Sequence, residues 1–523
     1  MRVATVHAPH GMVCSVDHLA SSAGVDVLRR GGSAADAAVA ASAVLAVTSP
    51  HLCGMGGDLF ALAHAPGDAA PAALNASGRA GSGADPDRLR AEGHVRMPFT
   101  GDLRSAPVPG CVDGWLALHG RLGRLPLADV LRAAIGYAAD GFPASPLLAA
   151  VQPRLRGVAG ADDLTSTWPL RPGDRVRRPG VALALAAIVE HGRSGFYEGA
   201  FGDGLLQLGA GEYAPDDLAR PLAEWVTPLR ASAWGHDLWT IPPNSQGYLT
   251  LLGARVAERL PLPDDPDDAR WPHLLVEAAR AAGHDRPSVL HDGADVAPLL
   301  EDVEVDRRAR LVDPDRRSAL PTPVAGGGTM HLCAADADGA AVSLIQSNAS
   351  GFGSHVFEPE TGIGLHNRGI GFTLEPGHPA EYGPGRRPPH TLSPAMVTRP
   401  DGTLAAAVGT MGGDSQPQIL LQVLCRWLRH GESPGRTISA PRFTLRGETG
   451  FDTWLTADPV VQVESHAPPS WAEGLRERGH PVAVAPPEAA HGFGHAHLLA
   501  VNPAGGWSGA ADPRAEIGDA SGY

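Results

Sequence analysis

GGGTMHLCAADADGAAVSLIQS, residues 326–347, is the stretch that sets the architecture. Gly326, Gly327 and Gly328 give way at Thr329 to an apolar run over 329–335. Asp336, Ala337, Asp338 and Gly339 make a turn, and a second apolar run covers 340–346. This spacing predicts a strand, a tight turn and a second strand, with Thr329 starting a strand at an edge of a sheet. Two readings of Thr329 stay open on the residues alone: a loop entering a sheet, since threonine favours strands, and a hydroxyl nucleophile at the end of a pliable run.

Working outward, segments 312–328 and 260–270 (LPLPDDPDDAR) read as irregular connections. Helices are predicted at 34–47, 127–139, 181–190 and 418–429, from apolar residues at helical spacing ended by Pro50, Gly141, Gly192 and Gly431. The first is alanine-rich without a polar face, as expected of a helix packed on both sides, and it carries Asp36, so it is too short and too polar to cross a bilayer. The glycine turn 54–58 leads into a strand at 59–63. Buried helices alternating with short strands make a layered α plus β fold.

Composition removes several chemistries. All 42 cationic side chains are arginine, and without lysine a Schiff base, a Walker-type phosphate loop and a Ser-Lys dyad are excluded. The net charge of -15 argues against nucleic acid, and the Arg clusters at 307–310, 316–317 and 386–387 read as solvated loops. Five widely spaced cysteines and the lack of an apolar leader in residues 1–20 point to a reducing, cytoplasmic setting. His491, His495 and His497 in HGFGHAH read as a loop rather than as metal ligands, because glycines separate them and no cysteine stands nearby. GTMGGD at 409–414 precedes the helix-like run from Gln418. Its consecutive Gly412 and Gly413 suit either close packing or anion binding by backbone N–H groups.

With these pieces in place, the chain resembles the gamma-glutamyltransferase family of N-terminal-nucleophile hydrolases along nearly its whole length. The motifs that carry the resemblance are GGSAADAAVAASAVLAVTSP, CGMGGDLF, VPGCVDGW, DGFPAS, GFYEGAF, PPNSQGY, the hairpin above, GFGS, RRPPHTLSPAM, GTMGGD, APRF and ADPR. The resemblance implies an α/β fold, a four-layer αββα sandwich built as a single folded unit from two autoprocessed segments, 1–328 and 329–523. It implies cleavage between Gly328 and Thr329, after which Thr329 is the nucleophile and its free α-amino group the base, since that amine titrates near neutrality. Gly412 and Gly413 would hold the oxyanion, and Ser347 would hydrogen-bond the nucleophile.

Departures from the family pattern bear on specificity. Asn348 stands beside the position where the family has asparagine, itself Ala349 here. Arg368 and Gly371 replace a glutamine and an aspartate, His390 and Thr391 replace a serine pair, and Arg79 lies about two places from the usual arginine. Without the aspartate, a substrate ammonium lacks its partner, and Arg368 with Arg79 would suit an acyl chain bearing a carboxylate and no amino group, such as a glutaryl-like chain. The pattern looks more like the branch related to cephalosporin acylases than the secreted glutathione-degrading one. The expected partner is a small-molecule amide, with no cofactor or metal, nucleic acid or membrane. The two segments are expected to stay associated, and a homodimer of such heterodimers is left open. Met330, where the family often has a second threonine, and Gly371 keep a competing reading alive: a relative that never matures and serves as a binding or scaffold protein.

Overall fold

The computed structural model describes residues 3–320, 330–447, 453–455 and 458–523. Two seven-stranded antiparallel sheets form its middle. The first runs Asp519–Gly522, Met12–Ser15, Met330–Ala335, Ala341–Ser347, Asp58–His64, Ala72–Ala76 and Glu224–Val226. The second runs Val6–Ala8, Trp507–Ala511, Ala496–Val501, Leu404–Thr410, Ala395–Thr398, His236–Thr240 and Leu229–Ala233. Both sheets draw strands from either side of residue 329, so the two sequence segments are interleaved in one body.

Strand periodicity explains the layers. On Met330–Ala335, the side chains of Met330, Leu332 and Ala334 join the core beneath the helices, while Cys333 and Ala335 join the apolar layer between the sheets. That inner layer is closed by Phe60, Leu62, Ile345, Met396, Leu499 and Trp507. Helices His18–Arg29, Ala34–Thr48 and Cys111–Leu122 cover the first sheet, with Leu127–Asp140 packed behind Ala34–Thr48. Tyr248–Glu258, Gln416–Leu424 and Pro434–Ser439 cover the second, with Arg270–Gly283 packed behind the first two of these, giving the four-layer αββα sandwich.

Ala34–Thr48 is buried along its whole length. Its small side chains let neighbours approach on every side, and the reciprocal bonds between Ser33 and Asp36 cap its start, a motif worth about 1 kcal/mol. Among the described residues, no helix is long and apolar enough to cross a membrane.

Three expectations change. The strand Met330–Ala335 is interior, flanked by Ala341–Ser347 and by Met12–Ser15; the latter pairs only with Cys333, Ala334 and Ala335, so the first half of the strand runs past that neighbour. The helix expected at 418–429 begins at Gln416, with Pro417 in its first turn where no N–H is needed, and its last turn widens to a π-helix at Cys425–Arg429. Two of the arginines read as solvated are buried. Arg308 bonds Asp285 (2.5 Å) and Glu304 (2.7 Å), and Arg387 bonds Glu224 (2.9 Å) and the Leu222 carbonyl (2.6 Å). These partners, all but Glu304 distant in sequence, make such burial tolerable.

Candidate active site

Gly328 and Thr329 lie outside the described residues. The next residue, Met330, faces Gln346 across the hairpin, and Ser347 in turn faces Asp58 on the following strand. The two sheets meet closely here. The His331 ring lies over Gly409, where an added Cβ would stand 2.2 Å from its Cδ2, so only glycine admits this approach. His331 Nε2 donates to Ser343 Oγ (2.9 Å), which donates to the Val408 carbonyl (3.2 Å) of the second sheet.

Past Thr410 that second-sheet strand turns through Gly412 (φ 139°) and Gly413 (φ 59°), conformations that favour glycine. Among the described residues, no acceptor takes the N–H of either glycine. The Ser415 N–H closes the turn on the Gly412 carbonyl (3.0 Å). Two successive N–H groups ahead of a helix are of the kind that can hold an anion.

Arg368 and Thr391 complete the wall beside Ser347. Arg368 is 1% exposed; its Nη1 donates to Thr391 Oγ1 (2.9 Å) and its Nη2 lies 3.4 Å from Ser347 Oγ. Ser347 Oγ also accepts the Ala349 N–H (2.7 Å). Burial pushes the Arg368 guanidinium down to about 10, against the favourable pull of Asp58, so it carries its charge at neutral pH.

Behind this wall stands a buried carboxylate. Asp58 accepts the Gly78 N–H (2.8 Å) and His390 Nε2–H (2.9 Å), and His366 Nδ1 lies 3.4 Å away. Burial alone would raise the Asp58 carboxyl, but the His366 and His390 imidazoles hold it well below the usual carboxylate range. His390 Nδ1 accepts the Leu392 N–H (3.2 Å). Burial, assisted by Arg368, pushes His390 down to about 3, so it is a neutral brace behind Thr391.

The remaining positions singled out in the sequence are turned elsewhere. Asn348 Nδ2 donates to the Pro50 carbonyl (3.0 Å) and braces the 50–57 turn. Arg79 is half-buried and pairs with Glu224 (3.1 Å) and Asp292 (3.5 Å). His491 and His495 are 3.4 Å apart, and the His497 ring lies 5.7 Å from that of His331. Among the described residues, no group of three or more His, Cys, Asp or Glu side chains is arranged to hold a metal ion.

Two functional candidates escaped sequence reasoning. Gln246, inside the PPNSQGY motif, donates through Nε2 to the carbonyls of Gly413 (2.9 Å) and Thr391 (3.2 Å). Its Oε1 accepts Arg286 Nε–H (3.0 Å), and Arg286 Nη2 stands 3.7 Å from Asp414 Oδ1. The motif was a usable signal for Gln246; Arg286, in the short helix Arg286–Val289, offered none.

Comparison with known proteins bears on this arrangement. The family model described as gamma-glutamyltranspeptidase matches residues 20–523. An oxamate amidohydrolase proenzyme of Klebsiella pneumoniae is 35% identical, covering 98% of this chain and 98% of its own. A glutathione hydrolase-like YwrD proenzyme of Bacillus subtilis is 36% identical over 97% of each chain. The crystal structure of a cephalosporin acylase from Bacillus halodurans superposes with a TM-score of 0.89 at 31% identity, covering 100% of this chain and 97% of that one. The two sequence relatives are hydrolases made as proenzymes.

Proposed function

From the premise that the chain belongs to the gamma-glutamyltranspeptidase family, we propose that it is a self-processing amidohydrolase that removes an acidic acyl group from an amide. The observation that carries the acyl preference is Arg368, a buried guanidinium held between the hydroxyls of Ser347 and Thr391. At Gly371, where related transferases have an aspartate, no carboxylate is offered to a substrate ammonium. The name of the Klebsiella relative supports the same preference, since the acyl group of oxamate carries a carboxylate and no amine.

In this reading Thr329 Oγ attacks the Gly328 carbonyl, the C–N bond breaks as the acyl group shifts to oxygen and frees the α-amino group of Thr329, and water then hydrolyses the ester to the Gly328 carboxylate and the Thr329 hydroxyl. In turnover that amine takes the hydroxyl proton as Oγ attacks the substrate carbonyl. The tetrahedral oxyanion faces the Gly412 and Gly413 N–H groups, and loss of one such donor costs about a hundredfold in rate. The C–N bond breaks, the amine departs with the proton, and water hydrolyses the threonyl ester to acid and free enzyme. The acyl carboxylate pairs with Arg368 in a dry site, where a charge-assisted bond counts for more than in water. The large and small segments stay together, as the interleaving of strands around residue 329 favours.

Hydrolysis of oxamate, a glutaryl anilide and a γ-glutamyl anilide by purified protein tests the reading. An acidic acyl group without an amine should be the preferred substrate by at least about tenfold in kcat/KM, the worth of one good charge-assisted contact. Preference for the γ-glutamyl anilide would contradict it.

A further inference from the structure

The turn expected to hold the oxyanion and the loop that carries Thr391 arrive from different parts of the chain, yet one side-chain amide joins them. Gln246 is fully buried, and its backbone N–H already bonds the His390 carbonyl (2.9 Å). Its Nε2 offers two hydrogens, and both have acceptors: the Gly413 carbonyl and the Thr391 carbonyl. The orientation of the amide is not arbitrary, because Oε1 faces the Nε–H of Arg286; a flipped amide would set N–H against N–H and oxygen against two carbonyls. Neighbouring bonds stiffen the platform: Asn244 Nδ2 to the Pro388 carbonyl (2.8 Å) and Ser245 Oγ to the Leu392 carbonyl (2.6 Å).

Each end of this amide matters for chemistry. Gly413 supplies one of the N–H groups assigned to the oxyanion, and as a glycine at φ 59° it has no side chain whose packing could fix its peptide planes. Thr391 holds Arg368 through its hydroxyl (2.9 Å). A shift of either loop of a few tenths of an ångström misaligns donors that must meet the transition state at about 2.7–3.1 Å.

We infer that Gln246 is a positioning residue that locks the oxyanion turn to the acyl-recognition loop, with Arg286 fixing the orientation of its amide. This rests on the reading of the site as an acidic-acyl amidohydrolase. It predicts that acyl recognition at Arg368 and stabilisation at Gly413 are coupled through one side chain, although neither Gln246 nor Arg286 need touch substrate.

Gln246→Glu is the informative substitution. It preserves shape and gives Arg286 a carboxylate, but it removes both donated bonds. Arg286→Lys is the milder companion, keeping a cation near Asp414 while losing the Nε donor to Oε1. Turnover of the acidic acyl amide would be measured per mole of processed protein, scored by intact mass, with thermal unfolding as a control on folding. Gln246→Glu should lower kcat by roughly 10- to 100-fold with KM within about threefold, and Arg286→Lys should lower kcat by about 3- to 10-fold, as expected for loosening one oxyanion donor. Combined with Arg368→Gln, the loss in kcat/KM should be less than the product of the single losses. Wild-type kcat in both single variants, a change confined to KM, or fully multiplicative losses would each overturn the inference. If the wild-type protein itself hydrolyses no acidic acyl amide, the functional reading beneath it fails instead, so the two failures are distinguishable.

Discussion

Arg79 and Arg368 were both candidates for meeting a carboxylate, and the fold gives them opposite surroundings. Arg79 is half-buried and its guanidinium faces Glu224 and Asp292, with Arg387 sharing Glu224 from the other side. Arg368 is buried, with the hydroxyls of Thr391 and Ser347 among its partners and Asp58 and Asp414 acting on it electrostatically. Both residues are cations of the same reach. Arg79 meets its carboxylates where water reaches and screens them, whereas Arg368 is removed from water, so that a carboxylate brought to it is felt more strongly. In the proposed reading, neighbours and burial, more than the charge itself, decide which cation recognises and which one braces.

The largest effect available is loss of the reaction on which this comparison depends. Thr329→Ala should leave a single chain on a denaturing gel and lower amide hydrolysis by at least about a thousandfold, as removal of a nucleophile does. Retained turnover in that variant would break the comparison at its root.

Next comes Arg368→Gln, which should lower kcat/KM for an acidic acyl amide by about 30- to 1000-fold, the range for truncating one partner of a buried charge pair. The loss should be small for a neutral acyl analogue of equal length. A uniform loss on both would mean that Arg368 maintains the fold instead of reading the acyl chain.

A third experiment sharpens the contrast through acid. His51, His390, His480 and His495 are held down to about 3, chiefly by burial, and His497 to about 4. The unfolded chain takes up protons below about 6.5 where the folded chain does not, so stability is full above that pH and falls as the pH drops. Each such group removes about 1.4 kcal/mol per pH unit. His390→Gln should therefore flatten the fall in Tm between pH 6.5 and 4.5. On the Arg79 side burial opposes ionisation of Glu224, yet Arg387 and Arg79 hold its carboxyl below the usual range, so that cluster should persist through the same interval.

Arg79→Gln is the smallest expected effect: kcat/KM within about threefold of wild type, as for a partly exposed ion pair away from the chemistry. A larger loss than that of Arg368→Gln would reverse the assignment of roles.

How much of this was readable beforehand follows from where each residue finds its partners. Ala34–Thr48, Leu127–Asp140 and the Met330–Ser347 hairpin declare themselves because local apolar spacing and a local turn suffice to form them. The interior place of Met330–Ala335 depends on Met12–Ser15, a strand hundreds of residues earlier, and nothing within the hairpin announces it. Arg308 and Arg387 looked solvated for the same reason: the carboxylates and carbonyls that admit them to the interior are supplied by tertiary structure. Glycine pairing at 412–413 and the residue types at 347, 368 and 391 were visible as candidates. The links that make a wall of them, through Gln246, Arg286, Asp58 and His366, are long-range hydrogen bonds and one long-range ionic contact with no local pattern.

Intact mass of an active preparation tests the central claim most directly. The account predicts two fragments that sum to the full chain plus one water, with the smaller beginning at Thr329. An active enzyme made wholly of uncut chains, or one split at any other bond, would contradict it.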